Sequence, residues 1–195
     1  AKGHDLPRLT MVVVVGIDEG LFSADFRAAE KLAQQLIQVA GRAGRADRPG
    51  EVWLQTHHPE HPLLQTLVNG GYHAFADAEL QQREAAGFPP FAHLALFRAE
   101  AKDVAAANQF LIAVRALVGA QTPAPSPAIT PVECYGPMPA PMPRRAGFQR
   151  TQLLLSAAQR SGLHRVLDAQ MPAIHTLPQA RRVRWSLDVD PIDLY

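Results

Sequence analysis

Cysteine is almost missing. The single Cys134 excludes an internal disulfide and any zinc site made of cysteines alone, and it fits a reducing compartment. No apolar run approaches the roughly 20 residues needed to cross a membrane, and no secretory signal pattern is present. The chain is therefore expected to be cytoplasmic, with no membrane partner. No G-x-x-x-x-G-K-[ST] stretch occurs, so the loop that cradles phosphates in P-loop hydrolases is lacking. Metal-ligand spacing is lacking too. His57, His58 and His61 cluster, but two consecutive residues point in different directions, Pro59 follows, and no further Cys or His stands at ligand distance. A polar loop is expected there, and no metal site. An initiating methionine is also missing: Ala1-Lys2-Gly3 opens inside a loop with no strand before it, so the sequence reads as part of a longer protein.

What is present is enough for a core. With 195 residues, 47% of them hydrophobic, one or two domains are expected. The formal net charge of +1 conceals an uneven distribution. Between Met142 and Leu187 there are eight arginines and one carboxylate, Asp168. Such an excess suits a polyanion or an acidic peptide; the alternative is a solvated face whose arginines point to different sides.

The most informative stretch is Gln38-Val39-Ala40-Gly41-Arg42-Ala43-Gly44-Arg45. Ala28, Lys31, Leu32, Leu36 and Val39 recur at helical spacing before it, so a helix should end where two glycines let the backbone approach a ligand. Arg42 and Arg45, three residues apart, can converge on one target. Planar guanidinium groups match phosphate oxygens, which suits the charge developing on a transferring phosphoryl group. The same pattern also serves a basic helix end that merely meets solvent. Upstream, Lys2-Gly3-His4-Asp5-Leu6-Pro7 precedes Met11 to Val15, five apolar residues expected to form a strand buried on both faces of a parallel sheet. Asp18-Glu19-Gly20 supplies polar groups at its carboxyl end, where open α/β sheets bind ligands.

These two segments resemble motifs V and VI of superfamily-two helicases. With 20–30, His57-His58-Pro59-Glu60-His61-Pro62 and Asp188-Val189-Asp190-Pro191-Ile192, the resemblance narrows to the PriA family of replication-restart helicases, primosomal protein N-prime, and covers essentially the whole chain. It implies the C-terminal part of an ATP-dependent 3′-to-5′ DNA helicase that recognises abandoned forks and starts primosome assembly. The expected fold is α/β: residues 1–56 the end of a RecA-like second lobe, 57–91 a helical linker, and 92–195 a ferredoxin-like domain that contacts DNA and partners. The runner-up is a non-catalytic adaptor that holds branched DNA or a protein tail.

The elements read from the residues agree with that division. In 57–91, a helix carrying Leu63, Leu64, Leu67 and Val68 should stop at Gly70-Gly71, and a second should run from Asp77 to Ala86. Beyond it, His93 to Ala99 should be a strand and Asp103 should open a helix with Val104, Ala107, Phe110, Leu111, Val114, Leu117 and Val118 along its stripe. A proline-rich loop from Thr122 to Pro131 follows, then short strands at Val132 to Gly136 and Arg150 to Ser156. A helix carrying Leu163, Val166, Leu167, Met171 and Ile174 should kink or end at Pro172, which sits within it. Finally, Arg182 to Asp190 alternates, with Val183, Trp185, Leu187 and Val189 facing in. The order is β-α-β-β-α-β, with two helices on one face of a four-stranded antiparallel sheet.

Three sites follow. By resemblance, Arg42 and Arg45 contact nucleotide phosphates across a lobe cleft, Arg45 as the finger, with Gln38 and Gly41 shaping the turn; Lys2, Gly3 and Asp5 couple nucleotide state to DNA. ATP and Mg2+ are implied for the full-length protein, as is zinc, none of them held by this chain alone. The second site is read from the residues: Arg144, Arg145 and Arg150 offer cations for phosphates, and Phe148 a ring for a base. A hairpin whose Phe148 packs into the core is the alternative. The third is implied by resemblance: Arg160, with His164 one turn on, meets the acidic C-terminal tail of single-stranded-DNA-binding protein, and other primosome proteins are further partners.

Overall fold

The computed structural model describes residues 9–23, 25–43, 50–120 and 131–194. It is a mixed α/β chain that divides into two compact units, 1–85 and 86–195.

In the first unit, β1 (Met11–Val14) leads through Ile17 into a short α1 (Asp18–Leu21) and then α2 (Ala28–Ala40), which returns the chain to β2 (Glu51–Leu54). The strands pair in parallel, Val13 opposite Trp53. A parallel pair requires such a crossover, and α2 supplies it. The expectation of a strand buried on both faces is not met: Val13 is 58% exposed and Trp53 61%, and Met11 and Val15 are exposed on the same side. Only two strands are present in this sheet among the described residues, and helices cover one side of it.

The core of this unit is Ile17, Ala33 and Leu36 with Leu63, Leu64, Leu67 and Phe75 of α3 (Pro62–Ala86). Gly71 breaks α3 with φ 74° and ψ −173°, a conformation open to glycine. The helix resumes at once rather than at Asp77, because Phe75 and Ala78 pack on the same core. An ion-pair network then fixes its second half. Arg83, whose side chain is 11% exposed, donates to Glu30 and to Glu79 at 3.0 Å each. Its guanidinium also lies 5.5 Å from the centre of the Phe26 ring.

At the start of the second unit, Gly87 ends α3 at a φ of 65°. Its elements are β3 (His93–Ala101), α4 (Val104–Ala120), β4 (Glu133–Arg145), β5 (Phe148–Ala157), α5 (Arg160–Thr176), a 3-10 turn at Pro178–Arg181 and β6 (Arg184–Val189). The sheet order is β4-β5-β3-β6, antiparallel throughout. The proline-rich loop expected at 122–131 falls, except for Pro131, outside the described residues. Asp103 opens α4 by accepting a hydrogen bond from the Ala105 amide at 3.0 Å.

Both helices cover one face. Ala95, Phe97, Leu153 and Leu155 point there, and meet Phe110, Leu111, Val114, Leu163 and Ile174 in a core from which solvent is excluded. Because β-strand side chains alternate, the intervening residues of β3, β5 and β6 turn to the other face. Leu94 and Leu96 are nonetheless buried there, so β3 is covered on both sides over its first half.

Four sequence expectations are corrected in this unit. The strand expected at 132–136 runs to Arg145 although it contains Pro137, Pro139, Pro141 and Pro143. It is an edge strand, where missing N–H donors can be tolerated, and its register slips between Tyr135 and Met138 and again between Pro139 and Arg144. Gly136 begins the irregularity at a φ of 112°, and a Cβ there would stand 2.9 Å from the Gln152 carbonyl oxygen. The next strand starts at Phe148, not Arg150, because a two-residue turn at Ala146-Gly147, both at positive φ, closes the hairpin directly. Third, α5 does not end at Pro172 but runs on to Thr176, with Ile174 buried beyond the proline. Last, Val189 is exposed at the end of β6 rather than facing in.

Arg83 is the sharpest test of the first unit. Arg83→Ala leaves Glu30 and Glu79 partly buried without their shared cation and should cost about 3 kcal/mol in urea unfolding. The Glu30 carboxyl is held below its ordinary 4.5, first by the hydrogen bond from Arg27, opposed by burial, then by that from Arg83. Its stabilisation is present above that ordinary value and is lost as pH falls through the lowered folded-state value. Glu30→Gln should therefore flatten the acid limb of the unfolding midpoint against pH.

Candidate nucleic-acid interface

The β4–β5 hairpin brings the expected basic and aromatic residues to one end of the second unit. Arg145 pairs directly with Phe148 across the turn, and Arg144, the next pair out, donates to the Gln149 side chain at 3.3 Å. Phe148 and Arg150 are two residues apart on β5 and so share a face, the one away from α4 and α5. Phe148 does not pack into the core; it stays half-buried, and Arg184 of β6 lies over its ring, 4.5 Å from the centre.

Strand register explains the meeting. Glu100 of β3 stands opposite Arg150 on one side and Arg184 on the other, making a row of cation, anion and cation across three strands. Arg184 reaches Glu100 at 3.7 Å, and Arg150 donates to the Met142 carbonyl at 3.4 Å. One register step away, Arg98 binds Asp188 at 3.1 Å and the Asp193 carbonyl at 3.2 Å. Arg98, Glu100, Arg150 and Arg184 line a concavity of about 290 Å³ with small side chains, Ala140 and Ser186, between them. Arg98 is therefore neutralised locally, while Arg150 and Arg184 together carry one charge more than Glu100 offsets. Such a surface attracts an anion and offers it planar donors.

Arg98 and Arg184 were not singled out from the sequence. Alternation already turned Arg98 away from Phe97 and Arg184 away from Trp185. The missing information was the pairing of β3 with both β5 and β6.

Arg160 opens α5. It donates to Asp190 at 2.8 Å and lies 3.4 Å from the His164 ring nitrogen, so the structure does bring these two expected residues together, with a carboxylate as third member. The pair is exposed on both sides.

In the first unit, Gln38 is exposed near the end of α2 and Gly41 caps that helix, its N–H reaching the Ile37 carbonyl at 2.9 Å. Arg42 follows with its amide bonded to Val39 at 3.0 Å. Arg45, Lys2, Gly3 and Asp5 lie outside the described residues. At the carboxyl ends of β1 and β2, Asp18 accepts hydrogen bonds from the Thr56 hydroxyl and, at 3.1 Å, from the His57 amide. Those bonds, the Thr56 one foremost, hold its carboxyl below the ordinary range. Asp18 thus ties two strand ends rather than standing open to a ligand. His58 and His61 both meet the Phe22 ring edge-on. Among the described residues no group of three or more His, Cys, Asp or Glu is placed to hold a metal ion. Burial pushes the Cys134 thiol up, with a smaller opposing pull from Arg115, which disfavours the thiolate a nucleophile needs. No described helix is long and apolar enough to cross a membrane.

Comparison with known proteins is consistent across the length of the chain. The family profile described as Primosomal protein N C-terminal domain matches residues 84–192. A replication restart protein PriA of Haemophilus influenzae is 48% identical over 194 residues, covering 100% of this chain and 26% of that protein. Its namesakes in Synechocystis sp. and Bacillus subtilis are 40% and 32% identical, covering 79% and 98% of this chain and 18% and 23% of theirs. The chain spans about a quarter of the length of these relatives. With the second unit coinciding with the matched domain, the chain belongs to the primosomal protein N (PriA) C-terminal family.

Proposed function

We propose that this chain is the C-terminal part of an ATP-dependent 3′-to-5′ DNA helicase that recognises stalled or abandoned forks and begins primosome assembly in replication restart. What carries this reading is the 48% identity, over the whole chain, to a protein named for replication restart. In the first unit, two parallel strands joined through α2 support the end of a RecA-like lobe. In the second, element order and strand order support a ferredoxin-like domain.

ATP and Mg2+ would be held mainly by a part of the protein beyond this chain, which has no phosphate-cradling loop of its own. Zinc would be held elsewhere too, since one cysteine cannot build the usual site. Gln38 and Gly41 would shape the turn after α2, and Arg42 and Arg45 would face the phosphates, balancing charge as the terminal phosphoryl group transfers. Lys2, Gly3 and Asp5 would link that site to DNA. The β4–β5 hairpin would grip forked DNA, and Arg160 with His164 would take the terminal carboxylate of the tail of single-stranded-DNA-binding protein. The setting would be cytoplasmic. An adaptor that only binds DNA is the second reading, favoured by the cationic face of the second unit.

Three outcomes are expected. In a protein of the relatives' full length, Arg45→Ala should lower DNA-stimulated ATP hydrolysis by about 100-fold, and unchanged turnover would favour the adaptor. Replacing Arg144 and Arg145 by alanine should weaken forked-DNA binding and reduce the slope of log affinity against log salt by about 1 for each phosphate that is no longer neutralised. Arg160→Ala breaks an exposed pair and should shift stability by less than about 1 kcal/mol. Binding of an acidic peptide with a free carboxylate should fall about ten-fold, as measured by fluorescence anisotropy.

A further inference from the structure

We propose that the outer face of the second unit's sheet holds an unpaired nucleotide, its base stacked on the free side of the Arg184 guanidinium and its phosphate met by Arg150. This rests on the reading that the unit contacts DNA, and adds the form of DNA and the residue that selects it.

The geometry begins with Phe148. Arg184 lies over its ring at 4.5 Å, and the Arg184 side chain is 71% exposed, so the guanidinium has an aromatic floor and an open upper side. Glu100, 3.7 Å away, holds it from the side. A cation fixed in this way is a flat platform on which a nucleobase can stack, extending the pile from ring to guanidinium to base. In a duplex, base faces are already occupied by their neighbours. The platform therefore favours a single strand.

The phosphate partner follows from register. Arg150 and Arg184 both stand opposite Glu100 on neighbouring strands, so a base over Arg184 leaves its own backbone near Arg150. Glu100 between them limits the local excess to one positive charge, enough for one phosphate rather than a train of them. The concavity of about 290 Å³ beneath is floored by small residues and can admit a group of that size. One polar atom on this face has no hydrogen-bond partner among the described residues: the amide oxygen of Gln152, 7% exposed, opposite Arg98. A buried polar group without a partner is costly, and a nucleotide carries both donors and acceptors that could serve it.

The test uses the whole 195-residue chain and a single-stranded oligothymidine carrying one 2-aminopurine, whose fluorescence is quenched on stacking. The wild-type chain should quench it and prefer it to the matching duplex. Arg184→Lys keeps the charge and loses the plane; it should abolish the quench and weaken single-strand binding about ten-fold while leaving the salt slope nearly unchanged. Phe148→Leu, which removes the floor, should act the same way and serves if an Arg184 variant folds poorly. Quenching and affinity in Arg184→Lys equal to wild type would overturn the proposal, and would leave the broader reading intact if alanine at Arg144 and Arg145 still weakened forked-DNA binding. Failure of the wild-type chain to bind any DNA would overturn both.

Discussion

Everything in the second unit depends on the two-sided pairing of β3. It bonds to β5 along nine positions and to β6 along six, so a side chain's place on one strand dictates its neighbours on two others. Ala95, Phe97 and Ala99 fall toward α4 and α5, and with them Leu153, Leu155 and Leu187; Arg98 and Glu100 fall outward, and with them Arg150 and Arg184. A one-residue slip of β3 would turn Arg98 and Glu100 toward the helices and Phe97 away from them. Burial of Phe97, Leu153 and Leu155 out of reach of solvent therefore also aims the charged surface.

Separate forces organise the first unit. Its parallel strands have helices on one side only, and the apolar row Met11, Val13, Val15 and Trp53 remains uncovered. Order comes instead from α2 and α3, which share the Leu36, Leu63 and Leu67 core and are clamped by Arg83 between Glu30 and Glu79. Asp18 performs a similar tie at the strand ends by collecting donors from Thr56 and His57.

Much of this was legible in the residues. The stripe Ala107, Phe110, Leu111 and Val114, the cap at Asp103, the breaks at Gly71 and Gly87, and the alternation of Trp185 and Leu187 each have a local cause and were found where expected. Phe148 and Arg150 were recognisable as an aromatic beside a cation. What escaped was set by partners distant in sequence. Prolines in β4 pointed to a loop because propensity is blind to a strand's position at the edge, and Pro172 pointed to a kink or an end although Ile174 beyond it already continued the apolar stripe. Arg98 and Arg184 looked like ordinary surface cations until pairing aligned them with Arg150 and Phe148. The exposed face of β1 escaped because five apolar residues describe a sheet larger than two strands.

The proline-studded strand has one more effect. An outermost strand thirteen residues long would ordinarily present a ladder of free amides to any other extended polypeptide, the usual start of intermolecular β-aggregation. At Pro137, Pro139, Pro141 and Pro143 every second rung has no hydrogen to give, and the slips in pairing bend what remains. This border of the sheet is thereby insulated against accretion of stray chains while staying long enough to carry its arginine-tipped hairpin outward.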